Sequence, residues 1–118
     1  MRRLAFLKEP IELDDGMTVH KIMVYGCEEG YYLFLYSSAD AVLSRCDELY
    51  SDLDDLLSAW GDKTDGNWLD IGDPPEYCQH DSLVPVRIKG RSEGKPQWGC
   101  FELLENGTWR PASPDELY

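Results

Sequence analysis

Six consecutive apolar residues, Tyr31 to Tyr36, constrain the fold more than any other stretch of this chain. A strand sends alternate side chains to opposite faces, so an unbroken apolar run needs cover on both. Upstream, Met17 to Tyr25 is rich in β-branched and aromatic residues, and Gly26-Cys27-Glu28-Glu29-Gly30 supplies turn chemistry between the two runs. The pair reads as two antiparallel strands, the second one central in its sheet. Residues 3 to 13 alternate loosely and contain Pro10, which cannot donate to a ladder, so a short edge strand or extended arm is expected there.

From Ser38 the period changes. Val42, Leu43, Cys46, Leu49, Tyr50, Leu53, Leu56, Leu57 and Trp60 recur mostly at three- and four-residue steps. That spacing predicts one long amphipathic helix of about five to six turns, capped by Ser38 and stopped by Gly61, with a break near Ser51 as the alternative. Residues 61 to 82, with their Gly, Asp, Asn and Pro74-Pro75, predict a long structured loop. Leu83 to Lys89 alternates and contains Pro85, which marks an edge strand, and Gln97 to Leu104 reads as a further strand. Asn106-Gly107 is a type I′ turn signal leading into Thr108-Trp109-Arg110, and the tail 111–118 is expected to be loose. The sum is an α+β fold: an antiparallel sheet of four to six strands built from hairpins, with the helix packed on one face. One globular domain over residues 1–118 is expected, long enough to bury roughly 60 to 70% of its unfolded surface.

Charge is distributed unevenly along this pattern. Residues 40 to 81 hold twelve Asp and Glu against Arg45 and Lys63, whereas the remaining 76 residues hold eleven acids and nine bases. The net charge of -12 therefore divides into -10 and -2. On the expected helix, Asp47, Glu48, Asp52, Asp54 and Asp55 share the exposed face, repel one another and oppose the macrodipole toward its C-terminal end. Local physics gives no reason for them there. A field of this kind steers cationic partners and repels nucleic acid and anionic membrane, so neither of the latter is expected as a direct partner. A merely solvated, solubilising face is the competing reading, and an aromatic sheet face that builds an oligomer is a further one. The sequence specifies no oligomeric state.

Other chemistry is thinly signalled. No run approaches the roughly 20 apolar residues that cross a bilayer, and Lys8-Glu9-Pro10 interrupts any leader-like start, which makes a cytoplasmic protein the expectation. Cys27, Cys46, Cys78 and Cys100 are spaced like free thiols rather than a disulfide framework. Cys78-Gln79-His80-Asp81 gathers reactive side chains, and Cys78 with His80 could supply two metal ligands or a nucleophilic pair. Any remaining ligands would have to come from His20, Cys27, Cys100 or nearby acids at no recognised spacing. A buried thiol and a loop histidine is the simpler account. The acids Asp70, Asp73, Glu76 and Asp81 are too ordinary in so acidic a chain to signal acid–base chemistry. No phosphate-binding loop is present, no cofactor is indicated, and an enzyme is not expected. Arg87, Lys89, Arg91 and Lys95 form a small basic cluster suited to protecting a sheet edge.

The leading expectation is a small acidic, non-enzymatic binding or inhibitor protein that docks on a basic surface, most plainly that of a nucleic-acid-handling protein. By charge and size it is comparable to immunity proteins, anti-CRISPR proteins and other DNA mimics, although it carries no motif of theirs. Asp47, Glu48, Asp52, Asp54 and Asp55 would steer, Asp62, Asp65, Asp70 and Asp73 would widen the footprint, and Trp68 would be the apolar anchor. The alternative is a small metal protein or enzyme centred on Cys78, His80 and Asp81.

Overall fold

Four strands follow one another as an antiparallel meander in the computed structural model, which describes residues 1–118: β1 (Arg2–Glu12), β2 (Thr18–Cys27), β3 (Gly30–Tyr36) and β4 (Cys46–Tyr50). A short β5 (Leu69–Asp70) pairs with the far side of β1, giving the order β4-β3-β2-β1-β5. The β2–β3 hairpin is tighter than the glycine spacing suggested, because the strands run on to Cys27 and Gly30 and leave Glu28-Glu29 as the turn. Gly30 is required by contact as well as by conformation. Its φ is 132°, and a Cβ there would lie 2.5 Å from the carbonyl oxygen of Tyr50.

Both faces of β3 are covered, as its apolar run demanded. Ile22, Val24, Leu33 and Leu35 share one face with Ala5 and Leu7, and they bury Leu56 and Trp60 of the helix. Leu4, Met23, Phe34 and Tyr36 form the other face, against Ala41 and the loop residues Ile71 and Leu83. The first strand differs from its expectation. It is long, and its start lies between β2 and β5; Pro10 falls within the register jump between Phe6 and Ile11, where no ladder bond is needed from it.

The long helix is not formed. Residues 37 to 45 are turns and bends, Cys46–Tyr50 is strand β4, and only α1 (Leu53–Trp60) is helical, extended by a single 3-10 turn over Gly61–Lys63. Tertiary pairing overrides the helical spacing, because β3 has an open edge that Cys46–Tyr50 completes over five residue pairs. The expected break near Ser51 is where strand gives way to helix.

A second, three-stranded sheet has the order β6 (Val86–Ile88), β7 (Phe101–Glu105), β8 (Thr108–Ala112). Asn106 and Gly107, at φ 52° and 79°, make the turn their sequence signals. Both β6 and β7 are shorter than expected. The tail is not loose: α2 (Pro114–Leu117) starts at a capping box between Ser113 and Glu116, and Leu117 is buried with Leu43 and Val86. Its carbonyl accepts the N–H groups of Val42 and Leu43 at 2.8 and 2.9 Å, which ties the small sheet to the main one.

The loop 71–82 is fixed by a buried cation. The Arg2 guanidinium, 5% exposed, donates to the carbonyls of Gly72 (2.6 Å), His80 (2.9 Å) and Ser82 (2.7 Å). Burial lowers its pKa, and its partners are backbone dipoles rather than a carboxylate. No helix is long and apolar enough to cross a membrane.

Candidate functional site

The expected acidic rod is replaced by carboxylates spread over one edge strand, the short helix with the turn that follows it, and the opposite edge of the main sheet. Asp47 and Glu48 are consecutive on the edge strand β4, so they face opposite sides: Asp47 pairs with Phe34 on the loop-covered face and Glu48 with Leu33 on the helix-covered face. Asp52, Asp54 and Asp55 stand at the start of α1. The Asp52 side chain caps it by accepting the Asp54 N–H at 2.8 Å, and Asp54 and Asp55 occupy the first turn. The macrodipole therefore favours these three, which reverses the sign of the argument from sequence.

The remaining predicted residues follow the helix and reach the opposite edge. Asp62 is exposed in the 3-10 turn beside Lys63, and Asp65 closes a local turn by accepting the N–H of Asn67 at 2.9 Å. Asp70 pairs with Arg3 at 3.0 Å on β5, and Asp73 lies 3.6 Å from the terminal amine. Trp68 is half-buried against the core and is no projecting anchor, while the tryptophan that does project is Trp98, 73% exposed in the β6–β7 connection. Trp109 is half-buried, with the Arg87 guanidinium 4.0 Å from its ring centroid.

Part of the predicted set does converge. Leu53 and Leu57, one turn apart on α1, meet Trp68, Val24, Met1 and the stem of Arg3 around a mostly apolar cleft of about 150 Å³. At about 100° per residue, Asp54 flanks this cleft on the helix side. Asp70, through Arg3, borders it on the sheet side.

A larger groove of about 620 Å³ opens on the other face of the sheet. Tyr25 and Tyr32 are a cross-strand pair and Phe34 follows on the same side of β3. Their rings are near parallel, with centroids 5.9 to 6.3 Å apart and interplanar angles of 4° to 19°. His80 stacks on Tyr25 at 4.7 Å. Glu28, Glu29, Asp47, Gln79, Asp81 and Arg91 complete the lining. Glu29 accepts the Tyr32 hydroxyl at 2.7 Å, which pushes the phenol up to about 12. Sequence reasoning missed this groove, although the alternation Tyr32, Phe34, Tyr36 puts an aromatic row on one face.

The Cys78-His80-Asp81 cluster is pulled apart by the fold. Cys78 is buried and bridges to Arg87, and burial pushes its thiol up, away from the thiolate a nucleophile needs. His80 lies against Tyr25, and Asp81 accepts both the N–H (3.0 Å) and the hydroxyl (2.6 Å) of Ser44. No three His, Cys, Asp or Glu side chains are placed to hold a metal ion. All four cysteines are free. Comparison of the chain with protein-family models, curated proteins and solved structures gave no match.

Proposed function

We propose that this is a non-enzymatic binding protein that docks the α1–β5 side of its sheet on a basic protein surface. The observation that carries this reading is the small apolar cleft between Leu53, Leu57 and Trp68, bordered by exposed carboxylates at the start of α1 and on β5. Such a surface joins a pocket for one apolar side chain to a rim of charge, the division of labour found in protein interfaces. A phosphate-binding groove on a nucleic-acid-handling protein is the partner surface that best complements a net charge of -12.

Association is expected to be fast and salt-sensitive. A partner captured from native lysate at low ionic strength and released as salt rises is tested against a variant carrying Asp52→Asn, Asp54→Lys and Asp55→Lys. Asparagine keeps the helix cap, while each lysine in the first turn opposes the macrodipole at a cost of about 0.3 to 1 kcal/mol, so the folded fraction of the variant is checked by denaturant unfolding before its binding is compared. Its on-rate should fall about tenfold or more with a smaller change in off-rate, whereas Leu57→Ala should act chiefly on the off-rate. Binding indifferent to both salt and these substitutions would rule the reading out.

A further inference from the structure

The groove on the loop-covered face combines free carboxylates with two features that the α1 cleft lacks: stacked rings and a wall held rigid from beneath. Tyr25 and Tyr32, backed by the buried Phe34, carry π systems whose faces attract positive charge. Glu28 and Asp47 make no ion pair within the molecule, and Glu29 is bound only to the neutral Tyr32 hydroxyl. Against four carboxylates, Asp81 included, the lining offers one guanidinium, Arg91, whose Nη1 is turned to Gln79 Oε1 at 3.1 Å. The far wall does not depend on a ligand for its position, because Arg2 anchors the carbonyls of His80 and Ser82, and the Tyr36 hydroxyl donates to that of Asp81.

We propose that this groove receives an arginine side chain from a basic polypeptide segment, the guanidinium lying against the Tyr25–Tyr32 rings and bonding to Asp47 and Glu29. Charge excludes the main rivals for an aromatic groove, since a nucleotide would bring its phosphate beside Glu28, Glu29 and Asp47. Planarity favours arginine over lysine: a guanidinium stacks on aromatic faces and offers a fork of donors to carboxylates, whereas an ammonium is a strongly hydrated point charge. A groove of about 620 Å³ holds more than one side chain, which suits a segment of chain laid along it.

The test is a titration of isotope-labelled full-length protein, followed by NMR, with a blocked pentapeptide carrying one central arginine and with its lysine counterpart. Saturable shifts should appear at the Tyr25, Tyr32 and His80 rings, with the arginine peptide bound several-fold more tightly. Asp47→Asn and Glu29→Gln, which preserve shape, should each weaken it about three- to tenfold. Tyr32→Leu should weaken it about tenfold, the equivalent of roughly 1.4 kcal/mol. Equal binding of the two peptides would overturn the role of the rings. Shifts centred on Leu53, Leu57 and Trp68, or no saturable shift at all, would overturn the site. The α1 charge variant should leave this titration unchanged, so failure here and failure of the α1 docking surface are separate results.

Discussion

Tyr36 shows how much one residue carries in this fold. It has no exposed surface, it donates its hydroxyl to the Asp81 carbonyl, and its ring lies beneath the Lys21 ammonium, 5.4 Å from the centroid. Burial, then the nearby Asp81 charge, pushes the phenol well above its ordinary value, with Arg2 acting the other way. The proton is therefore held more tightly in the folded state, so this contribution is complete below about pH 10 and is lost as pH rises beyond it, where the unfolded chain ionises first. Urea denaturation from pH 8 to 11 should show the decline, and Tyr36→Phe should flatten its share of it while losing about 1 kcal/mol at neutral pH. Burial of Tyr36 was legible in the sequence as part of an all-apolar strand. Its partner was not, because Asp81 reaches it through a loop 45 residues away that no local pattern positions.

At the scale of elements, the decisive ambiguity lay in residues 46 to 60. Cys46, Leu49, Tyr50 and Leu53 fit a helical stripe by spacing alone, and Cys46–Tyr50 does not alternate, yet it closes the edge of β3 with Cys46 and Tyr50 packed on the core and Leu49 left exposed. Spacing along a chain cannot register an unpaired neighbour, and pairing decided the outcome. The acids would have resolved it: carboxylates that repel and oppose the dipole in a long helix become a cap and a first turn once the helix starts at Leu53. Asp52→Ala should accordingly cost about 1 kcal/mol of stability, and Asp52→Asn only a few tenths (about 0.3), as measured by denaturant unfolding. The hairpins were more legible than the helix. Their turns carry their own chemistry, in Gly30 at a close backbone approach and in Asn106-Gly107 at positive φ.

For the whole molecule, the joint between the two sheets rests on a residue in a tail that looked dispensable. Leu117 is fully buried beside Leu43 and Val86, and the carbonyl of the same residue takes two backbone hydrogen bonds from the segment leading to β4. Leu117→Ala should destabilise the fold by about 2 to 4 kcal/mol in urea denaturation. The three-stranded sheet should lose hydrogen-exchange protection before the five-stranded one. The α+β class, its antiparallel hairpins and the acidic bias were all readable from residue types. The arrangement of the candidate surfaces was not, since the sheet order sets Asp47 and Asp70 on opposite edges and puts the aromatic groove behind the helix-covered face.

The Arg2 clamp has a consequence in time. Its three acceptors lie 70, 78 and 80 positions further along the chain, so a ribosome must add residues as far as Ser82 before this guanidinium can be satisfied. Until then, one side of the nascent meander stays wet and uncovered, and closure of so long a loop is a slow event in folding. The far wall of the aromatic groove thus takes its shape only after Ser82 has been added to the chain, long after the strands that carry its rings.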